Sequence, residues 1–372
     1  MKMTLVPGQI AWARSPVRLD LAGGWTDTPP YTNWYGGAVV NVAVNLNGQM
    51  PVQVYVRRTA DGCISLKSID LDCEEQVRSM EQLHDYRNPK SPFGLAKAAL
   101  CQVLAEYDPV HNNLPQVLAD IGGGLSITTF VAVPKGSGLG TSSVLGATLL
   151  GALHKSFGIS LGQNQFLEKV LMLEKMLTTG GGWQDQVGGA IGGVKYTKNS
   201  AGRSIFLDVE FLDDHLFGSQ RTASLLVLYY TGHARLAKDI LSKVVDKVRA
   251  KEPEYLQLHQ RLAELAMQMR GAISRRDLVS VGRLLELYWK FKKQIHPSAT
   301  NPEAEALFEA VKPMTSAACL MGAGGGGYAL FLAKDHQQSG KLREFLANAN
   351  YAESARVVEW SLNRQGLQVS LS

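Results

Sequence analysis

Stretches in which apolar and polar residues alternate, at Gly37–Ala43, Val52–Val56, Ile64–Ser68 and Ser126–Val133, predict strands, with turn residues between them. They imply a twisted sheet in the first half of the chain. Ser91–Glu106, Thr141–Phe157 and Gln163–Leu177 carry apolar residues at helical spacing, the last also rich in Glu and Lys. The pattern turns polar and turn-like over 199–218, which places a boundary there and divides the chain into units 1–210 and 211–372. The second unit opens on an apolar strand, Ser224–Tyr230, followed by helical patterns over Arg235–Ala250, Pro253–Ser274 and Asp277–Ile295, with Asp277 as N-cap. A further helix over 302–312 starts with Asn301 and Pro302. Strands Ala317–Met321 and Tyr328–Ala333, a helix near Gln338–Ala347, and terminal strands Ala355–Trp360 and Leu367–Leu371 complete a second layer. Strands followed by helices in both units make the class α+β.

Composition narrows the functional classes. The 372 residues are 45% hydrophobic and 19% charged, enough to bury a large core. Lys+Arg 38 against Asp+Glu 33 leaves +5, too little and too scattered for a nucleic-acid surface, though it favours an anionic ligand. The short basic clusters, Arg275–Arg276 and Lys290, Lys292 and Lys293, lie in helical sequence and read as solvated faces. Four cysteines without C-x-x-C spacing argue for neither zinc nor a disulfide framework, which suits a reducing cytoplasm. Met1–Ile10 lacks the apolar core of a signal peptide, and the uncharged runs 136–153 and 313–333 are broken by glycines, so neither reads as a membrane helix.

Three glycine-rich places carry candidate chemistry. Lys135, Gly136, Ser137, Gly138, Leu139, Gly140, Thr141, Ser142 and Ser143 follow an apolar strand and open an apolar helix. Alternating glycines let backbone N–H groups turn inward, and the helix start adds its positive dipole end, so this is an anion cradle, for phosphate above all. It is neither a Walker A loop nor G-x-G-x-x-G. The hydroxyls at its end can cap the helix, hold Mg²⁺, or both. Gly322–Gly327 lies between two strands with no helix after it, which argues against a dinucleotide turn and for close backbone approach to a ligand or another loop. The third place, 178–186, lets the carboxylate of Asp185 emerge from a glycine-rich loop after a helix carrying Glu174; alone, Asp185 could equally be a helix cap or turn residue. Near the N-terminus Arg18 and Asp27 are charges in apolar, glycine- and proline-marked sequence, costly unless each has a partner, either within the fold or in a ligand.

The Arg18/Asp27 stretch, the 134–143 loop and the 322–327 turn, in that order, resemble the three motifs of the GHMP small-molecule kinases over nearly the whole chain. Arg14-Ser-Pro-Val-Arg-Leu-Asp-Leu-Ala-Gly-Gly-Trp-Thr-Asp-Thr-Pro-Pro-Tyr31 and Thr178-Thr-Gly-Gly-Gly-Trp-Gln-Asp-Gln186 are similar, within that superfamily, to the fucokinase group. The resemblance implies an N-terminal domain like the second domain of ribosomal protein S5, a ferredoxin-like C-terminal domain, and an active site between them. It implies ATP held by residues 135–143, Mg²⁺ on Ser142 and Glu174, and Asp185 and Arg18 as the catalytic pair. The sugar side would comprise Trp25, Thr26, Asp27, Tyr31, Gly182, Gly324 and Gly325. Galactokinases carry Glu-His where this chain has Gly24-Trp25, so sugar contacts there must differ, and Trp25 could stack on an apolar sugar face. The implied reaction is phosphorylation of the anomeric hydroxyl of L-fucose, with a GDP-fucose pyrophosphorylase fused or acting alongside. Two alternatives stand: a D-glycero-D-manno-heptose 7-phosphate kinase or other GHMP sugar kinase, and a non-catalytic sensor of sugar and nucleotide.

Overall fold

The computed structural model describes residues 3–107, 113–177, 181–202, 206–233, 238–349 and 351–372. Thr178, Thr179 and Gly180 of the third glycine-rich place, and the start of the predicted helix at Arg235, lie outside these.

Three sheets organise the chain. The first runs, in spatial order, Gln368–Leu371, Ile10–Ser15, Val52–Thr59, Gly124–Val131, Ile64–Ser68 and Cys73–Val77. Its pairs are antiparallel except Ile64–Ser68 with Gly124–Val131. Alternation does what period two requires: Val52, Val54 and Val56 are fully buried while Tyr55 faces outward with Trp12 stacked on it. The inner face packs with helices Gly94–Tyr107 and Thr141–Phe157 around Ala98, Ala99, Leu149 and Leu150.

A second sheet centres on Gly37–Leu46, which pairs with Val17–Ala22 along one edge and, along the other, with Val194–Asn199 (continued by Leu207–Phe211) and then with Trp360–Leu362. The third, fully antiparallel, has the order Thr315–Leu320, Tyr328–Ala333, Leu226–Tyr230, Arg356–Val358. One continuous core joins these two sheets: Val40, Val42 and Val44 meet Leu262, Leu265 and Met269 of helix Pro253–Ser274, which packs beside Leu278–Ile295 and Leu228, Phe331 and Cys319 behind it. Asp277 and Asn301 cap their helices as the sequence predicts, accepting from Ser280 N–H and Ala304 N–H.

Three expectations change. The terminal strands do not both complete the second layer: Arg356–Val358 does, but Trp360–Leu362 pairs with Gly37–Leu46 and Gln368–Leu371 with Ile10–Ser15. Alternation marks a strand without naming its partner, and here the chain end closes an open edge of the first sheet. The polar stretch at 199–218 holds a strand, Leu207–Phe211, rather than connecting turns alone. Lys292 is not on a solvated face: Lys290 is exposed, but Lys292 is fully buried on the opposite side of the helix. Among the described residues no helix is long and apolar enough to cross a membrane, and the four cysteines are free thiols.

Candidate active site

The loop at 134–140 leads into helix Thr141–Phe157 through Gly140, whose left-handed backbone (φ 74°, ψ 20°) offers no side-chain cap to the first-turn N–H groups. Those donors, at the positive end of a 17-residue helix, form the cradle that the glycine spacing predicts. Ser137 Oγ and Thr141 Oγ1 are buried there without hydrogen-bond partners, an arrangement that phosphate oxygens would complete. Lys135 and Ser142 are exposed at the rim, whereas Leu139 and Ser143 point inward.

Gly322–Gly327 supports this loop from below. Tyr328 N–H donates to Ser137 O at 3.0 Å, and a Cβ at Gly138 would stand 2.5 Å from Met321 O. Of the two approaches open to these glycines, the structure shows loop on loop. Gly325 N–H also bonds Ala299 O, and a Cβ on Gly324 would collide with the same carbonyl, so both are turned toward residue 299.

Asp185 comes to the mouth of the loop: a Cβ at Gly140 would lie 2.9 Å from its Cγ. It occupies the first turn of helix Gln184–Ala190, with Trp183 as the N-cap residue. Trp183 is wholly buried and donates its indole N–H to Thr32 Oγ1 at 3.0 Å, which pins the turn that presents Asp185. Arg18 joins acid and loop. Its Nε donates to Asp185 Oδ1 at 2.8 Å, its Nη2 to the same oxygen at 2.5 Å, and its Nη1 to Gly138 O at 2.9 Å. Burial opposes the guanidinium's charge, but Asp185 and Asp20 outweigh it and hold the group above its ordinary value.

Glu174 and Asp27 are buried on the Asp185 side. Burial, with the neighbouring Asp185 charge adding to it, pushes Glu174 up to about 8 against a hydrogen bond from Ser143. Burial likewise raises Asp27 to about 7, although Gln184 N–H donates to its Oδ2 at 3.1 Å; Oδ1 has no partner. Asp27 therefore holds its proton to a much higher pH than an ordinary carboxyl does. Gly182 must lack a side chain, because a Cβ would stand 1.8 Å from Asp27 Oδ2.

The remaining sugar-side candidates scatter somewhat. Thr26 is inside the fold, its hydroxyl donating to Gly23 O and Ala38 O and accepting from Ala38 N–H. Trp25 holds a positive φ of 82°, costly for a bulky residue, and packs with Pro30, Tyr31, Val244, Val248 and His259 around a gap too small to admit a water molecule. Tyr31 stacks tilted on His259 at 4.7 Å between centroids, and burial lowers that imidazole to about 4, so it is neutral there.

A magnesium ion needs only one or two carboxylates when phosphates supply further oxygens. Glu174 would supply one such carboxylate beside Ser143, which hydrogen-bonds it, whereas Ser142 is exposed at the rim; the Glu174 proton is what a cation would displace. A carboxyl raised by burial keeps in the folded state a proton that the unfolded chain releases. Its stabilisation is complete below the unfolded value near 4.5 and is lost as pH rises toward 8. Glu174→Gln, which cannot titrate, is expected to gain roughly 1 kcal/mol or more over the parent between pH 5 and pH 8. Equal pH slopes in denaturant unfolding of the two proteins would remove the buried-acid assignment.

Sequence reasoning overlooked Asp20, Tyr288 and Lys292, which meet beside Arg18, and Trp183. The available signal was Asp20 two residues after Arg18, on the same face of a strand.

A glycine loop that opens a helix, a buried guanidinium and an acid, held within hydrogen-bond reach of one another, make a scaffold suited to phosphoryl transfer. Residues 95–193 match the family of GHMP kinases N-terminal domains and residues 269–353 that of GHMP kinases C-terminal domains, and the chain belongs to the GHMP kinases. It is 42% identical over its whole length to the L-fucokinase/L-fucose-1-P guanylyltransferase of Bacteroides fragilis, spanning 39% of that protein. It is 35% identical over 93% of its length to the bifunctional fucokinase/GDP-fucose pyrophosphorylase of Arabidopsis thaliana, spanning 32% of it. Its fold matches a D-glycero-D-manno-heptose 1-phosphate kinase from Bacteroides thetaiotaomicron with a TM-score of 0.73 at 21% identity, covering 97% of this chain and 98% of that one.

Proposed function

We propose that the protein is an ATP-dependent sugar kinase that phosphorylates the anomeric hydroxyl of L-fucose. The observation that carries the reading is Arg18 holding Asp185 with two donors and the loop carbonyl of Gly138 with a third. Residues separated by 120 and 167 positions in the chain converge where a terminal phosphate would meet an acceptor hydroxyl. Phosphoryl transfer asks for alignment and for neutralisation of charge on the equatorial oxygens. First-turn N–H groups and Arg18 supply that charge from fixed positions. Ser142 and Glu174 would hold Mg²⁺, which adds charge neutralisation at the phosphates when bound.

Arg18 occupies Asp185 Oδ1, leaving the other carboxylate oxygen for the sugar hydroxyl. As the hydroxyl oxygen bonds to the γ-phosphorus and the bond to ADP breaks, the proton passes to that oxygen. Asp27, with its unpaired Oδ1, would bind a second sugar hydroxyl, and Trp25 would stack on an apolar sugar face. The nucleotide-phosphate and acid machinery lies in the unit 1–210, with 211–372 closing it from the glycine-run side. The four free thiols suit a reducing cytoplasm, and a GDP-fucose pyrophosphorylase would consume the sugar 1-phosphate.

L-Fucose is favoured over a heptose phosphate because residues 25–31 contain no Lys or Arg to receive a second phosphate. A coupled ADP-release assay with L-fucose, D-arabinose, galactose and heptose 7-phosphate tests this. Turnover is expected to be highest with L-fucose. Preference for heptose 7-phosphate would replace the substrate, and nucleotide binding without turnover of any sugar would favour the sensor.

A further inference from the structure

Asp20 has no step in the reaction above, yet it is 1% exposed and shares a strand face with Arg18, two residues away on Val17–Ala22. Its Oδ2 accepts from Tyr288 O–H at 2.7 Å and lies 3.7 Å from Lys292 Nζ. Its Oδ1 is buried and has no hydrogen-bond partner. Lys292 is fully buried too; its Nζ donates to Leu320 O at 2.6 Å and lies 4.8 Å from the Tyr288 ring centroid. Leu320 ends the strand that runs into the glycine turn beneath the phosphate loop.

Two carboxylates therefore compete for one guanidinium. Asp185 is 30% exposed on its side chain, whereas Asp20 is sealed in the interior, where an uncompensated charge attracts a cation more strongly. Left alone, the unpaired Asp20 oxygen would be the better seat for Arg18. Lys292 and Tyr288 change that balance, the first by neutralising Asp20 and the second by occupying its Oδ2. We propose that Lys292, assisted by Tyr288, is a positioning residue that neutralises Asp20 and thereby keeps Arg18 on Asp185. Both come from helix Leu278–Ile295 of the second half, so the docking of that helix against the first half sets the orientation of the catalytic arginine. The kinetic consequence rests on the kinase reading; the geometric one does not.

The test compares the parent, Lys292→Met and Asp20→Asn/Lys292→Met by crystal structure and by kinetics on the best sugar substrate. Methionine keeps the length and apolar stem of Lys292 without its charge. In Lys292→Met, Arg18 is expected to leave Asp185 for Asp20 Oδ1, lowering kcat roughly 10- to 100-fold, the size of a small misplacement of reacting groups, with KM values little changed. The double variant removes the competing carboxylate, so Arg18 returns to Asp185 and kcat recovers toward the parent. A packing-only role forecasts the reverse: Arg18 stays on Asp185 in Lys292→Met, or the folded double variant is no more active than the single; either result overturns the inference. Should Lys292→Met not fold, Tyr288→Phe, with a smaller displacement and the same rescue by Asp20→Asn, answers in its place. If the parent phosphorylates no sugar, the functional reading fails, while the position of Arg18 in the variant structures still decides this one.

Discussion

Asp185→Asn is expected to lower turnover at least ~100-fold, the low end for removing a general base, while nucleotide affinity stays near that of the parent. Asparagine has the same shape, and its amide oxygen can still accept from Arg18 at the Oδ1 position, so the arrangement persists while the proton acceptor is gone. The cradle at 136–143 contributes its donors from backbone and helix start, none of which passes through residue 185. Stability should fall by less than the ~3 kcal/mol low end for severing a buried ion pair, because Asp20 remains as a counter-charge and Asp185 is partly solvated. Steady-state kinetics, nucleotide titration and a denaturation curve check all three parts. Near-normal turnover in the folded variant would end the base assignment.

Arg18→Lys is expected to cost ~100- to 1,000-fold in turnover, the scale of losing one preorganised donor at a developing negative charge. Lysine keeps the charge, so Asp20 and Asp185 are still compensated and the fold survives. What it loses is the planar fork, which binds Asp185 Oδ1 through Nε and Nη2 while Nη1 holds Gly138 O. An ammonium on a flexible stem can satisfy one of these partners at a time in the right place. Nucleotide affinity should weaken as well, since Gly138 loses the donor that ties the phosphate loop to the acid, and this separates Arg18→Lys from Asp185→Asn. Turnover within tenfold of the parent would show that fork geometry is not what the reaction uses.

Much of this site could be read along the chain because its local requirements are local. Gly136, Gly138 and Gly140 all adopt positive φ, which only glycine takes freely, and the helix after them starts at Thr141 as the periodicity predicts. Pro253–Ser274 and Thr141–Phe157 match the predicted helices to the residue, the first opened by Pro253 and the second bounded by Gly140 and Gly158. The first two strands, Ile10–Ser15 and Val17–Ala22, were less visible. Arg14, Arg18 and Asp20 interrupt the apolar pattern there, and charges in a strand ordinarily mark a solvent face. The same rule misplaces Lys292, which looks like its exposed neighbour Lys290 until Asp20, 272 positions earlier, is set against it.

The sequence alone determined the α+β class and the glycine loop that opens helix Thr141–Phe157, and marked Arg18 and Asp185 as candidates, because backbone conformation and helix periodicity are properties of neighbouring residues. Only the tertiary structure decided which carboxylate the arginine serves, that the glycine run props up the phosphate loop, and that the chain's last strand closes the first sheet. Those outcomes depend on burial and on partners far away in the chain. A charge has no fixed energy until its surroundings have excluded water and set another charge beside it.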